Sequence, residues 1–117
     1  MFEVLLMERM ESYEIAVKQV IPAARLSIIR SLSSKYMLNE TQISRIMGIS
    51  QAAVSKYLSG KYSNGVVHME KKVDQALVEE CARAVAGMGR KGEGTVNMYI
   101  CRICKNVNDF GCKFSRA

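Results

Sequence analysis

Two groups of residues in this sequence have types and spacing that support chemistry. The first is a set of four cysteines. Cys101 and Cys104 form a C-x-x-C pair, Cys112 follows in the tail, and Cys81 precedes them on an expected helix. Four thiolates complete a tetrahedral zinc site or the ligand set of an iron-sulfur cluster. Both centres accept sulfur, so ligand type does not separate them. A zinc ribbon usually shows two C-x-x-C knuckles with glycine close by; here there is one, and apolar Ile100, Ile103, Val107 and Phe110 stand ready to shield a cluster. The expectation is therefore an iron-sulfur centre, with Zn2+ as the alternative. Disulfides and unliganded thiols are the other uses of these residues, and Cys81 also fits an apolar stripe as a plain core thiol. A cluster would respond to redox state, oxygen or iron, whereas zinc would be mainly structural.

The second group is a set of hydrogen-bonding side chains between residues 42 and 61. Gln51, Ser55 and Lys56 suit base edges and phosphates, with Ser50, Ala52, Ser59 and Lys61 beside them. Gln42 falls at the start of the preceding helix, where its side chain and backbone N–H groups could meet a DNA phosphate.

The elements that must position this second group are two short helices. The stretch from Glu40 to Gly60 contains two helical segments separated by Gly48-Ile49-Ser50. Ile43 and Met47 share one face of the first, Ile49 occupies the turn, and Val54 with Tyr57 or Leu58 forms the inward face of the second. Gly48 can adopt the left-handed conformation that stops a helix, and Ser50 is a natural N-cap for the next. Ser44 is small where the two helices cross. A plain helical hairpin would share the apolar spacing, but the turn chemistry and the outward Gln, Ser and Lys favour a DNA-reading helix-turn-helix.

The region from Val20 to Tyr62 resembles the archaeal transcriptional regulators that carry a Cro/repressor-like helix-turn-helix. The resemblance is carried by Ile21 to Arg25, by Thr41-Gln42-Ile43-Ser44, and most specifically by the run from Gly48 to Lys61. Ser44 stands where such families usually have alanine, and Met37-Leu38 where a Gly-Leu pair is common. The resemblance implies double-stranded DNA as the partner, transcriptional regulation as the function, and binding as a homodimer.

The flanks are expected to be helical as well. Phe2 to Ile21 contains no Gly or Pro, and Leu6, Met10, Tyr13, Val17 and Val20 follow a heptad seam suited to dimerisation. Pro22 then opens a helix reaching about Lys35, with Arg25 and Arg30 on its exposed side. Met69 to Met88 reads as one long helix with Val73, Leu77, Cys81, Ala84 and Met88 on one face. Gly87 to Gly94 has four glycines in eight residues and reads as a flexible boundary before the cysteine-containing tail. The expected fold is thus all-α: a dimerisation helix (1–21), a helix-turn-helix domain (22–65), and a C-terminal helix with a cysteine-rich region (66–117).

Composition narrows the function classes. The chain has 117 residues, a formal net charge of +6 and 49% hydrophobic residues, enough for a buried core and suited to an anionic partner. No apolar run approaches the roughly 20 residues that span a bilayer, and Glu3, Glu8, Glu11 and Glu14 interrupt any signal peptide. A cytoplasmic protein without membrane contact is expected. There is no Ser/His/Asp set, His68 is the one histidine, and the glycine run has no Gly-Lys-Ser/Thr, so no enzyme activity is expected. The rival to a DNA-binding regulator is an antitoxin-like or protein-interaction module stabilised by zinc or disulfides.

Overall fold

Helix α1 (Ile21–Ser34) buries Ala23, Ala24, Leu26, Ile28, Ile29 and Leu32, residues distributed around most of its circumference. A helix apolar on nearly all sides has to be surrounded. In the computed structural model, which describes residues 16–60 and 64–107, every other α-helix packs against it. These are α2 (Glu40–Met47), α3 (Gln51–Leu58), α4 (Asn64–Glu70), α5 (Gln75–Val85) and α6 (Gly92–Val107). The described residues contain no strand, so the all-α expectation holds. None of their helices is long and apolar enough to cross a membrane.

The entry to α1 differs from the expected break at Pro22. A π-helical turn, Ala16–Val20, runs directly into α1, and Val20 itself has helical angles. Proline offers no N–H and its ring collides with the carbonyl four residues back. A locally wider turn relieves that collision without ending the helix. Val20 is fully buried. The rest of the expected heptad helix, including Leu6, Met10 and Tyr13, lies outside the described residues.

The expected single helix from Met69 to Met88 is two helices. α4 ends at Glu70, and Asp74 starts α5 as its N-cap, its Oδ1 accepting from the N–H groups of Ala76 (2.9 Å) and Leu77 (3.4 Å). The restart changes the phase of the helix. Val78, Cys81, Ala82 and Val85 face the core, whereas Ala84 and Met88 are exposed.

The glycine-rich segment, expected as a flexible boundary, forms a 3-10 turn (Gly89–Lys91) and the first turn of α6. Gly92 explains the close fit. A Cβ there would lie 3.0 Å from Ile46 Cγ2 and 3.4 Å from Val85 Cβ, so the missing side chain lets α6 approach α2 and α5 together. Cys101 and Cys104 consequently sit on a regular helix. Val96, Tyr99, Ile100, Ile103 and Cys104 form its buried side.

Candidate nucleic-acid interface

The start of α2 is fixed by a reciprocal cap. Asn39 Oδ1 accepts from the Gln42 N–H (2.8 Å), and Gln42 Oε1 accepts from the Asn39 N–H (2.9 Å). Two of the groups that the sequence offered to a phosphate at Gln42 are therefore engaged within the chain. The side-chain NH2 is the donor that Gln42 keeps for a ligand. Ser44 is buried at the crossing, its hydroxyl donating to Thr41 O (2.8 Å).

The turn is built as its residue types require. Gly48 has φ +69°, and the N–H groups of Gly48 and Ile49 both donate to Ser44 O, at 2.9 and 3.2 Å. A left-handed residue costs an L-amino acid about 1–2 kcal/mol, which glycine avoids. Ser50 then caps α3, its Oγ accepting from the Ala53 N–H (3.1 Å).

Val54 is the one residue of α3 that is fully buried, and Tyr57 is half-buried beside it; Leu58, its alternative as an anchor, is exposed. Such a helix is attached along a narrow seam and free over the remaining circumference. Ser50, Gln51, Ala52, Ser55, Lys56 and Ser59 all lie on the exposed side. The hydroxyls are not equivalent, however. Ser50 is engaged in its cap and Ser59 donates to Lys56 O (2.7 Å), which leaves Gln51, Ser55 and Lys56 as the side chains best able to reach a partner. Lys61 lies outside the described residues.

Two contributors had no local signal in the sequence. Glu93, from the first turn of α6, leans over the Gly48 turn: a Cβ added at Gly48 would lie 2.6 Å from Glu93 Oε1. Arg45 is exposed, three residues along α2 from Gln42, so both side chains leave the same side of that helix. The loop before α2 holds a third departure. Met37 takes φ +55° and is 81% exposed, a left-handed position in the loop where the resembling regulators commonly carry glycine.

The cysteines are placed in the α5/α6 region. Cys81 is fully buried and Cys104 nearly so, while Cys101 is half-buried. No disulfide joins any two of the three. Burial, with the Glu80 charge as a smaller cause, pushes the Cys81 thiol up to about 12, so the neutral S–H form is strongly favoured there. Among the described residues no three potential ligands of the His, Cys, Asp and Glu types converge. Cys112 lies outside them. Near Cys81, the Tyr99 hydroxyl donates to Glu80 (2.6 Å), and that hydrogen bond is the main cause raising the phenol pKa. Arg102 lies over the same ring, 5.4 Å from its centroid.

Polar contacts also tie α1 to α4 and α5. Arg30 pairs with Glu70 (2.6 Å), Lys35 with Glu79 (2.5 Å), and Ser31 donates to Glu79 (3.1 Å).

No family model, curated protein or solved structure matches the chain. The resemblance to Cro/repressor-like regulators thus rests on the residues from Val20 to Tyr62.

Proposed function

We propose that this chain is a sequence-specific DNA-binding transcriptional regulator whose reading helix is α3. The observation that carries this reading is the joint geometry of the turn and α3: a left-handed Gly48, a capping Ser50, one buried anchor at Val54, and Gln51, Ser55 and Lys56 exposed together. In the complex, Gln51 offers a paired donor and acceptor to an adenine edge, and Lys56 to guanine or to a phosphate. The Gln42 NH2 group and Lys61 serve as backbone contacts. The protein acts in the cytoplasm as a homodimer joined through the heptad seam around Tyr13 and Val17, so its operator is a palindrome.

For the cysteines, the burial of Cys81 and Cys104 within the apolar core favours a core-packing role over an iron-sulfur or zinc centre. A cluster would need a thiolate at Cys81 and a reach from Cys112 in the tail to the α5/α6 seam.

Selection of bound duplexes from a random-sequence library tests the functional reading. Enrichment of one palindromic motif is the expected result. Recovery of unenriched sequence, together with a Tyr13→Asp/Val17→Asp variant that binds like the wild type, would favour the antitoxin-like or protein-interaction alternative.

A further inference from the structure

Beside the reader, a cleft of about 310 Å3 separates α2 from the end of α5. Gln42, Arg45 and Ile46 form one wall, and Gly87 and Gly89 the other. The Gly89–Lys91 turn packs against α2, which brings the exposed Arg90 and Lys91 to the same region as Arg45. Nothing lies within 4 Å of a Cβ added at Gly87 or Gly89, so the main chain of this wall is open to close approach.

The charges here differ from those of Arg30 and Lys35. Arg30 and Lys35 are neutralised by Glu70 and Glu79. Arg45, Arg90 and Lys91 form no ion pair among the described residues, and no carboxylate lines the cleft. The acidic groups near α2 are Glu40 on its first turn and Glu93 over Gly48. An open, cation-rimmed surface with bare glycine backbone suits an extended polyanion better than a small enclosed ligand. The Gln42 NH2 donor, on the rim of the same cleft, links it to the reader.

We propose that Arg45 and the Gly87–Lys91 turn form a second DNA-backbone contact, holding phosphates that flank the groove site of α3. This rests on the helix-turn-helix reading and gives the C-terminal half of the chain a direct part in binding. These contacts add affinity and orientation without adding sequence preference.

The test is a fluorescence anisotropy titration of the full chain over a range of salt. Its probes are the duplex recovered by selection and a random duplex of equal length. Arg90→Ala/Lys91→Ala should weaken both duplexes alike, roughly tenfold or more near 0.1 M salt, and lower the salt slope by about two units. Arg45→Ala should lower it by about one. Lys105→Ala removes a like charge about 20 Å further along α6 and should leave the slope unchanged. All of these residues are exposed, and unchanged melting of the variants checks the fold. An unaltered slope in Arg90→Ala/Lys91→Ala, with Gln51→Ala still losing discrimination, would overturn this inference and leave the reader intact. A slope lost equally in Lys105→Ala would overturn it in favour of net charge. Absence of DNA binding by the wild type would overturn both readings.

Discussion

Gly48→Ala probes the turn that sets α3 against α2. Alanine at φ +69° meets its own carbonyl geometry, a cost of about 1–2 kcal/mol. The added methyl also falls on the Glu93 side chain, with Oε1 at 2.6 Å. Those two effects have different remedies. Glu93 is exposed and its carboxyl is the far end of a flexible chain, so rotating it away is cheap compared with the backbone strain. The substitution should therefore lower stability by about 1–2 kcal/mol, a drop of about 4–8 °C in Tm for a chain of this size. In a Glu93→Ala background the loss should shrink by less than about 0.5 kcal/mol, and Gly48→Asn, which tolerates the left-handed region, should cost less than alanine. Urea melts of the four members of the cycle measure this. A Gly48→Ala protein as stable as wild type, or one fully restored by Glu93→Ala, would refute a strained backbone as the determinant of the turn.

Met37 presents the converse case: Met37→Gly should raise stability by about 0.5–1 kcal/mol, because relief of left-handed strain exceeds the added entropy of an unfolded glycine, while Met37→Ala should be near neutral. Thermal melts distinguish the two, and equal effects would mean the exposed side chain matters more than the backbone. Glu79 has its pKa held below the ordinary 4.5, chiefly by the Lys35 hydrogen bond and further by Ser31, with burial opposing. A lowered folded-state value means its contribution is present above the unfolded pKa and disappears as pH falls through the folded one. Glu79→Gln should thus flatten the acid limb of the stability curve below about pH 4.5, and an unchanged limb would show that the Lys35 pair is too solvated to matter. Cys81→Ala should cost about 1 kcal/mol as a small core truncation and leave the metal content and absorbance of anaerobically purified protein unchanged; loss of bound metal or of a brown colour would restore the four-cysteine centre.

The helix, turn and helix from Glu40 to Leu58 were legible in the sequence because their determinants are local. Gly48, Ser50 and Val54 act within a few residues of where they stand, and the exposed side of α3 follows from their positions. Met37 occupies a position where the resembling regulators commonly carry glycine, and its left-handed φ is the reason that position matters. The C-terminal half was less legible. An aspartate cap at Asp74 divides α4 from α5 without any Gly or Pro to mark the place, and the restart shifts which residues face inward. Four glycines implied flexibility, yet Gly92 is selected by the closeness of Ile46, a contact 46 positions away in the chain and invisible to local reading. The C-x-x-C spacing coincides with a second pattern over the same residues. Val96, Ile100, Ile103 and Val107 recur at helical intervals and could have placed Cys104 on a buried helix face. The role of Glu93 above Gly48 depends on tertiary packing and has no counterpart in spacing.

The central claim is that α3 reads sequence through Gln51. The most direct measurement compares Gln51→Ala with wild type on the duplex recovered by selection and on a random duplex, at one fixed salt concentration. A loss of about 1–3 kcal/mol on the selected duplex, with little change on the random one, is the predicted result. Equal losses on both would place Gln51 on the DNA backbone, and no loss on either would contradict α3 as the reading helix.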